Sequence, residues 1–152
     1  ENSINEIRNV LNNLKPEPLQ EDGLAGGLAA MAGGINRTGT LTCTLDIRKP
    51  VPHFDETVTL NIYRVVQEAI TNVVKHAKAE KVRIVAGESE DSGRYDFQII
   101  DDGVGFSAGD NHYGVGIPSM ADRVKMLGGT FRIESAEGRG TRIIVEVPTA
   151  DE

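Results

Sequence analysis

The sequence predicts an α/β sandwich of the α+β kind: a mixed, mainly antiparallel sheet covered on one face by helices. Two observations predict it. Five short alternating or apolar runs, at 40–47, 81–86, 95–100, 130–135 and 142–147, have the length and pattern of strands, and helical patterns are interleaved among them. The runs within 81–100 and within 130–147 are close enough in sequence to form hairpins. A chain of 152 residues, 39% hydrophobic and 26% charged, has room for one such domain with a leading helix.

Taken in order, Ile4, Ile7, Val10, Leu11 and Leu14 recur at helical spacing, and Pro16 and Pro18 forbid continuation beyond them. A lone helix of that length is marginal in water, so its apolar stripe needs a partner. The partner is either the same domain or another helix in a dimer. Leu24, Leu28 and Met31 predict a short second helix ended by Gly33-Gly34. Leu41, Cys43, Leu45 and Ile47 share one face of a half-buried strand that Pro50-Val51-Pro52 breaks. Asp55 is placed to cap a long helix with Glu56 in its first turn, running to about His76. Ile62, Val65, Val66, Ala69, Ile70, Val73 and Ala77 form its core face. Residues 88–93 are a polar turn, and 101–116 are rich in glycine. A last helix is predicted over 119–127, with Pro118 suited to its first turn and Gly128-Gly129 ending it.

Composition removes several classes of function. The net charge of −7 argues against a nucleic-acid surface, which needs a field of Lys and Arg to displace counterions. The single Cys43 excludes an intramolecular disulfide and a cysteine metal cluster, and its alternating context predicts a buried packing thiol. No apolar run approaches the ~20 residues of a membrane span and no signal peptide opens the chain. A cytoplasmic setting is expected, compatible with a membrane anchor elsewhere in a longer parent.

The chemistry-bearing residues begin on the long helix. Glu68 and Asn72 are four apart, with Lys75 and His76 one turn on, so they gather along one flank of the apolar stripe. A carboxylate and an amide can hold a hydrated Mg²⁺, and the two basic groups can neutralise phosphates. A solvated face with a polar i,i+4 pair explains the same spacing. Asp101-Asp102-Gly103-Val104-Gly105 follows a strand directly. A carboxylate there can accept from an exocyclic amine such as adenine N6, and glycines let backbone approach a flat base. A tight hairpin turn explains the same residues, but the chain runs on into a small, polar segment instead of returning. Gly114-Val115-Gly116-Ile117 leads into a helix start that favours an anion, and Gly138-Arg139-Gly140-Thr141 lies between the last two strands.

Each piece has a plain structural explanation; their order along the chain is what carries a family resemblance. Glu68-x-x-x-Asn72 with Lys75-His76 resembles the N box of the Bergerat-fold ATPases. Asp101-x-Gly103-x-Gly105 resembles their G1 box, Gly114-x-Gly116-Ile117 their G2 box, and Gly140-Thr141 their last glycine-threonine element. This superfamily contains gyrase-type topoisomerases, heat-shock chaperones, mismatch-repair proteins and histidine kinases. The run from Tyr63 through Ala77 is similar to histidine kinases of the nitrate-sensor and DesK-like type, and the opening residues resemble the end of their second dimerisation helix.

The resemblance implies a division at residue 20: 1–20 as the end of that helix and its linker, 21–152 as the ATP-binding catalytic domain. It implies that Asn72 ligates Mg²⁺, with Glu68 assisting the metal or acting as the base that readies the phosphoacceptor His. Lys75 and His76 would face phosphates, with Arg64 at the phosphate edge. Asp101 would bind adenine N6 in a pocket shaped by Gly103 and Gly105. Gly114, Gly116, Ile117 and Thr141 would line the phosphate side and anchor a flap formed by the small, polar segment 107–113. ATP or ADP, the kinase's own dimerisation domain and a response-regulator receiver domain are the implied partners, with a dimeric parent and a monomeric fragment. None of His53, His76 and His112 lies in the family's phosphoacceptor context, Ser119 stands where relatives often have Gly, and the flap is short. A Bergerat-fold ATPase driving conformational change and a non-catalytic nucleotide-binding interaction module are the two rival readings.

Overall fold

The structure, a computed structural model, describes residues 17–89, 93–104, 117–136 and 138–149. The helix expected over 4–14 lies outside them. The first element, α1, is Glu17–Thr38. Pro18 sits in its first turn, where its missing N–H has no helical acceptor to lose. The helix breaks at Gly23 (φ 72°, ψ −166°) and then runs straight through Gly33-Gly34, where the sequence predicts its end. Tertiary packing overrides propensity here. Each glycine weakens a helix by about 1 kcal/mol. Continuing the helix buries Ile35 fully beside Leu28 and Met31, and one such side chain contributes about 1.5–3 kcal/mol. It also delivers Asn36, whose amide donates to the Cys43 carbonyl (2.8 Å) and accepts from the Cys43 N–H (2.7 Å). That pair caps the outer edge of β1, Thr42–Ile47.

The second helix, α2, spans Glu56–Asn72, with Asp55 accepting from the Val58 N–H at 2.8 Å as the predicted cap. Its exit widens into a π-helical turn, Val73–Ala77, closed by Lys78 in the left-handed region (φ 52°). Single π turns of this kind concentrate at functional sites. Strands β2 (Lys81–Glu88) and β3 (Arg94–Asp101) follow, then α3 (Ile117–Met126), β4 (Thr130–Ser135) and β5 (Thr141–Pro148). Gly128, at φ 75°, ends α3, and its N–H donates to the Lys125 carbonyl.

The strand order is β1-β2-β3-β5-β4. Only β1 and β2 are parallel, joined by the crossover helix α2; the other pairings are antiparallel. Alternation along β3 sends Tyr95, Phe97, Ile99 and Asp101 to the buried side. There Tyr95, Phe97 and Ile99 meet Ile62, Val66, Ala69 and Ile70 of α2 and Met120 and Val124 of α3 in one core. Tyr63 is fully buried as well, a position the sequence pattern left off the core face. On the opposite side, the register puts Val85, Gln98 and Ile144 in one row, flanked by Arg83 and Arg142. Val85 and Ile144 are buried there, apart from the core cluster of the described residues, consistent with the stems of long polar neighbours covering apolar surface. Among the described residues no helix is long and apolar enough to cross a membrane.

Candidate functional site

The end of β3 and the exit of α2 lie at the same edge of the sheet. Only residues 78–80 separate the π turn from β2, and the first residues of β2 pair with the end of β3, Val82 opposite Asp101. Asp101 in turn pairs with Thr141 of β5, and Thr141 with Ser135 of β4. A row running from Val82 through Asp101 and Thr141 to Ser135 therefore borders the helix-covered side.

Asp101 is the chemical centre of that row. It is 6% exposed, and its carboxylate accepts the Gly103 N–H at 2.8 Å and the backbone N–H of Thr141. Burial pushes its pKa above the ordinary carboxylate value, and the nearby charge of Asp102 pushes the same way; the two backbone donors oppose but do not cancel this. A desolvated carboxylate has lone pairs for a further donor, which an amino group supplies and a carbonyl does not.

The β4–β5 turn holds this corner from beneath. The Gly138 N–H donates to the Val104 carbonyl at 2.6 Å. Gly140 is buried at φ 77°; a Cβ there would overlap the Asp101 carbonyl oxygen and lie 3.3 Å from the Asp102 Cα. Only glycine allows so close an approach of two backbones. The Thr141 hydroxyl is shared with the Ser135 hydroxyl at 2.9 Å.

On α2, Asn72 is 5% exposed and its Nδ2 has no hydrogen-bond partner. A buried amide N–H group without a partner is costly and calls for an external acceptor. Glu68 lies one turn earlier and half-buried, and Arg64 one turn before that, its Nη1 donating to Gln67 at 3.0 Å. Lys75, exposed, and His76 belong to the π turn. The amide and carboxylate fit a Mg²⁺ shared with phosphates, which needs few protein oxygens. No group of three or more His, Cys, Asp or Glu among the described residues forms a self-sufficient metal site.

The structure thus brings Asp101, Gly103 and Thr141 together at the sheet edge, beside the exit of the helix that carries Arg64, Glu68, Asn72, Lys75 and His76. Ile117 opens α3 and packs on the core. Gly105, Gly114 and Gly116 lie outside the described residues. Two contributors escaped the sequence reading. Asp102 accepts backbone N–H groups from Glu80 and Lys81, and its only signal was a second acid beside the first. Ser135 partners Thr141, and nothing in the sequence pointed to it.

Residues 57–151 match the family described as "Histidine kinase-, DNA gyrase B-, and HSP90-like ATPase". The chain belongs to this ATPase family. Within it, the chain is 33% identical over 145 residues to the sensor histidine kinase LiaS of Bacillus subtilis, covering 95% of this chain and 39% of that protein. It is 28% identical over 136 residues to the nitrate/nitrite sensor protein NarQ of Escherichia coli, covering 88% and 24%. The chain spans less than half the length of the curated relatives it matches. Among solved structures, the histidine kinase domain of a blue-light activated histidine kinase from Erythrobacter litoralis superposes with a TM-score of 0.65 at 20% identity, over 84% of this chain and 61% of that one. That likeness establishes the ATPase-family α/β fold.

Proposed function

We propose that this domain is the ATP-binding catalytic part of a two-component sensor histidine kinase. It would transfer the γ-phosphoryl group of ATP to a histidine on the dimerisation domain, for relay to a response regulator. The observation that carries the reading is the buried Asp101 carboxylate, held by two backbone donors at the edge where α2 presents the buried Asn72 with its Nδ2 unpartnered. Its support from relatives is that those matched over most of this chain are sensor histidine kinases.

In this reading Asp101 accepts a hydrogen bond from adenine N6, and Gly103 and Gly140 let the backbone close around the base. Asn72 would hold Mg²⁺ against the phosphates, where the ion neutralises charge, and Glu68 would either assist the metal or serve as the base. Lys75 and Arg64 would add positive charge on the same flank, and His76 is proposed to face the phosphates with them. Transfer breaks the bond between Pγ and the β,γ-bridging oxygen and forms a bond from Pγ to an imidazole nitrogen. The attacking nitrogen is the ring's unprotonated one; Glu68, half-buried, would take the proton carried by the ring's other nitrogen, and ADP leaves with the electron pair. The protein's share is orientation and charge stabilisation. Residues 1–20 are proposed as the end of the second dimerisation helix and its linker, in a dimeric parent whose catalytic part faces the cytoplasm. The Glu17–Thr38 segment, two helical stretches meeting at a kink at Gly23, crosses that boundary.

The experiment is to mix this chain with a dimerisation fragment bearing the acceptor histidine and with radiolabelled ATP. Acid-labile, base-stable phosphate on the fragment supports the kinase. Phosphate release without transfer supports an ATPase that drives conformational change. Binding with neither supports a nucleotide-dependent interaction module.

A further inference from the structure

We infer that Asp102 is a positioning residue that sets the spacing between the metal-side helix and the adenine-side turn, an inference resting on the ATP-binding reading above. One carboxylate oxygen, Oδ1, accepts both the Glu80 N–H at 2.9 Å and the Lys81 N–H at 3.0 Å. The Asp102 N–H donates back to the Lys81 carbonyl at 3.3 Å. Asp102 is exposed, yet its carboxyl sits below the ordinary carboxylate range, held there first by the Lys81 N–H. Two donors converging on one oxygen favour the charged form.

What these bonds join is the point. Upstream of Glu80 the chain passes through Lys78, in a backbone conformation side-chain-bearing residues rarely adopt (φ 52°), to the π turn and Asn72. The Thr42 N–H, at the start of β1, donates to the Glu80 carbonyl at 3.0 Å, and Asp102 holds the N–H of that same peptide, from Lys81, and the N–H of the peptide before it, from Glu80. Asp102 itself stands between Asp101 and Gly103, so it cannot move without them. One side chain therefore ties the exit of the helix bearing Asn72 and Lys75 to the turn bearing the adenine acceptor. A ligand spanning both ends senses that spacing. A ligand touching one end does not.

The test titrates ATP with Mg²⁺ by calorimetry, and adenosine by NMR shift changes, into the unmutated chain, Asp102→Ala and Asp102→Asn. Losing two hydrogen bonds to a charged acceptor predicts roughly a tenfold or greater loss of Mg·ATP affinity in Asp102→Ala, with adenosine affinity changed less than about threefold. Asn keeps an oxygen at Oδ1, so Asp102→Asn restores Mg·ATP binding to within about threefold. Equal Mg·ATP binding by Asp102→Ala overturns the inference. So does parallel loss of both ligands, which marks local damage to the adenine pocket, and so does failure of Asp102→Asn to rescue. Where Asp102→Ala does not fold, amide exchange in the unmutated protein decides: protected Glu80 and Lys81 N–H groups support the link, and exchange at the free-amide rate overturns it. An unmutated chain that fails to bind Mg·ATP at all overturns the ATP-binding reading instead, and this inference with it.

Discussion

Replacing Gly140 by alanine tests the site's architecture with one methyl group. Gly138 and Gly140 share a backbone angle, φ 77°, but differ in surroundings: a Cβ on Gly138 meets nothing within 4 Å, whereas one on Gly140 overlaps the backbone under Asp101. Placing alanine in the left-handed region costs about 1–2 kcal/mol at either position. Gly140→Ala adds an overlap with backbone, which cannot swing aside like a flexible side chain, for about 1–3 kcal/mol more. The total is about 2–5 kcal/mol, a large share of the roughly 5–15 kcal/mol that stabilises a domain. At about 2–4 °C per kcal/mol for a chain of this size, Tm falls by about 4–20 °C for Gly140→Ala and by about 2–8 °C for Gly138→Ala. The strain is relieved by moving the end of β3, so nucleotide affinity drops by about tenfold or more at Gly140 and stays near the original at Gly138. Thermal melts with and without ADP, run on both variants, check this. Equal Tm values and equal ADP affinities for the two would refute the close-approach reasoning.

Other outcomes follow from single features. Asp101 has a raised pKa, so its contribution to folding is greatest below the ordinary value of 3.8 and is lost as pH rises through the raised one. Urea unfolding should therefore show the unmutated chain losing stability relative to Asp101→Asn across that interval, with a constant gap above it. Asn72→Ala should weaken ADP binding in Mg²⁺ far more than in a chelator, read by calorimetry. Asn36→Ala removes two bonds to the Cys43 backbone and should lower stability by about 1–3 kcal/mol in urea while leaving ADP affinity unchanged. Burial lifts the Cys43 thiol to about 11, so a disulfide reagent at pH 8 should label it only as fast as the chain opens.

The sheet was legible because period-two alternation survives in strands with one face buried, as in Tyr95, Phe97 and Ile99. The N-cap at Asp55 was legible because capping chemistry is local. The length of α1 was not, because what carries it past Gly33-Gly34 is the burial of Ile35 and the grip of Asn36 on a neighbouring strand. The candidate site divides the same way. Glu68 and Asn72 share a helix flank by arithmetic, and Asp101 ends a readable strand. Its junction with Thr141, Ser135 and Gly140 depends on β5 lying between β3 and β4, an order that no local pattern encodes. The contacts of Asp102 span more than twenty residues of sequence and depend on the same tertiary pairing.

The most direct measurement is calorimetric titration of ATP or ADP with Mg²⁺ into this chain, beside Asp101→Asn. The account predicts saturable binding by the unmutated chain and at least about a tenfold loss in the variant, the weight of a hydrogen bond to a charged acceptor. A folded, unmutated chain that binds neither nucleotide, or a variant that binds as well as the original, would contradict it.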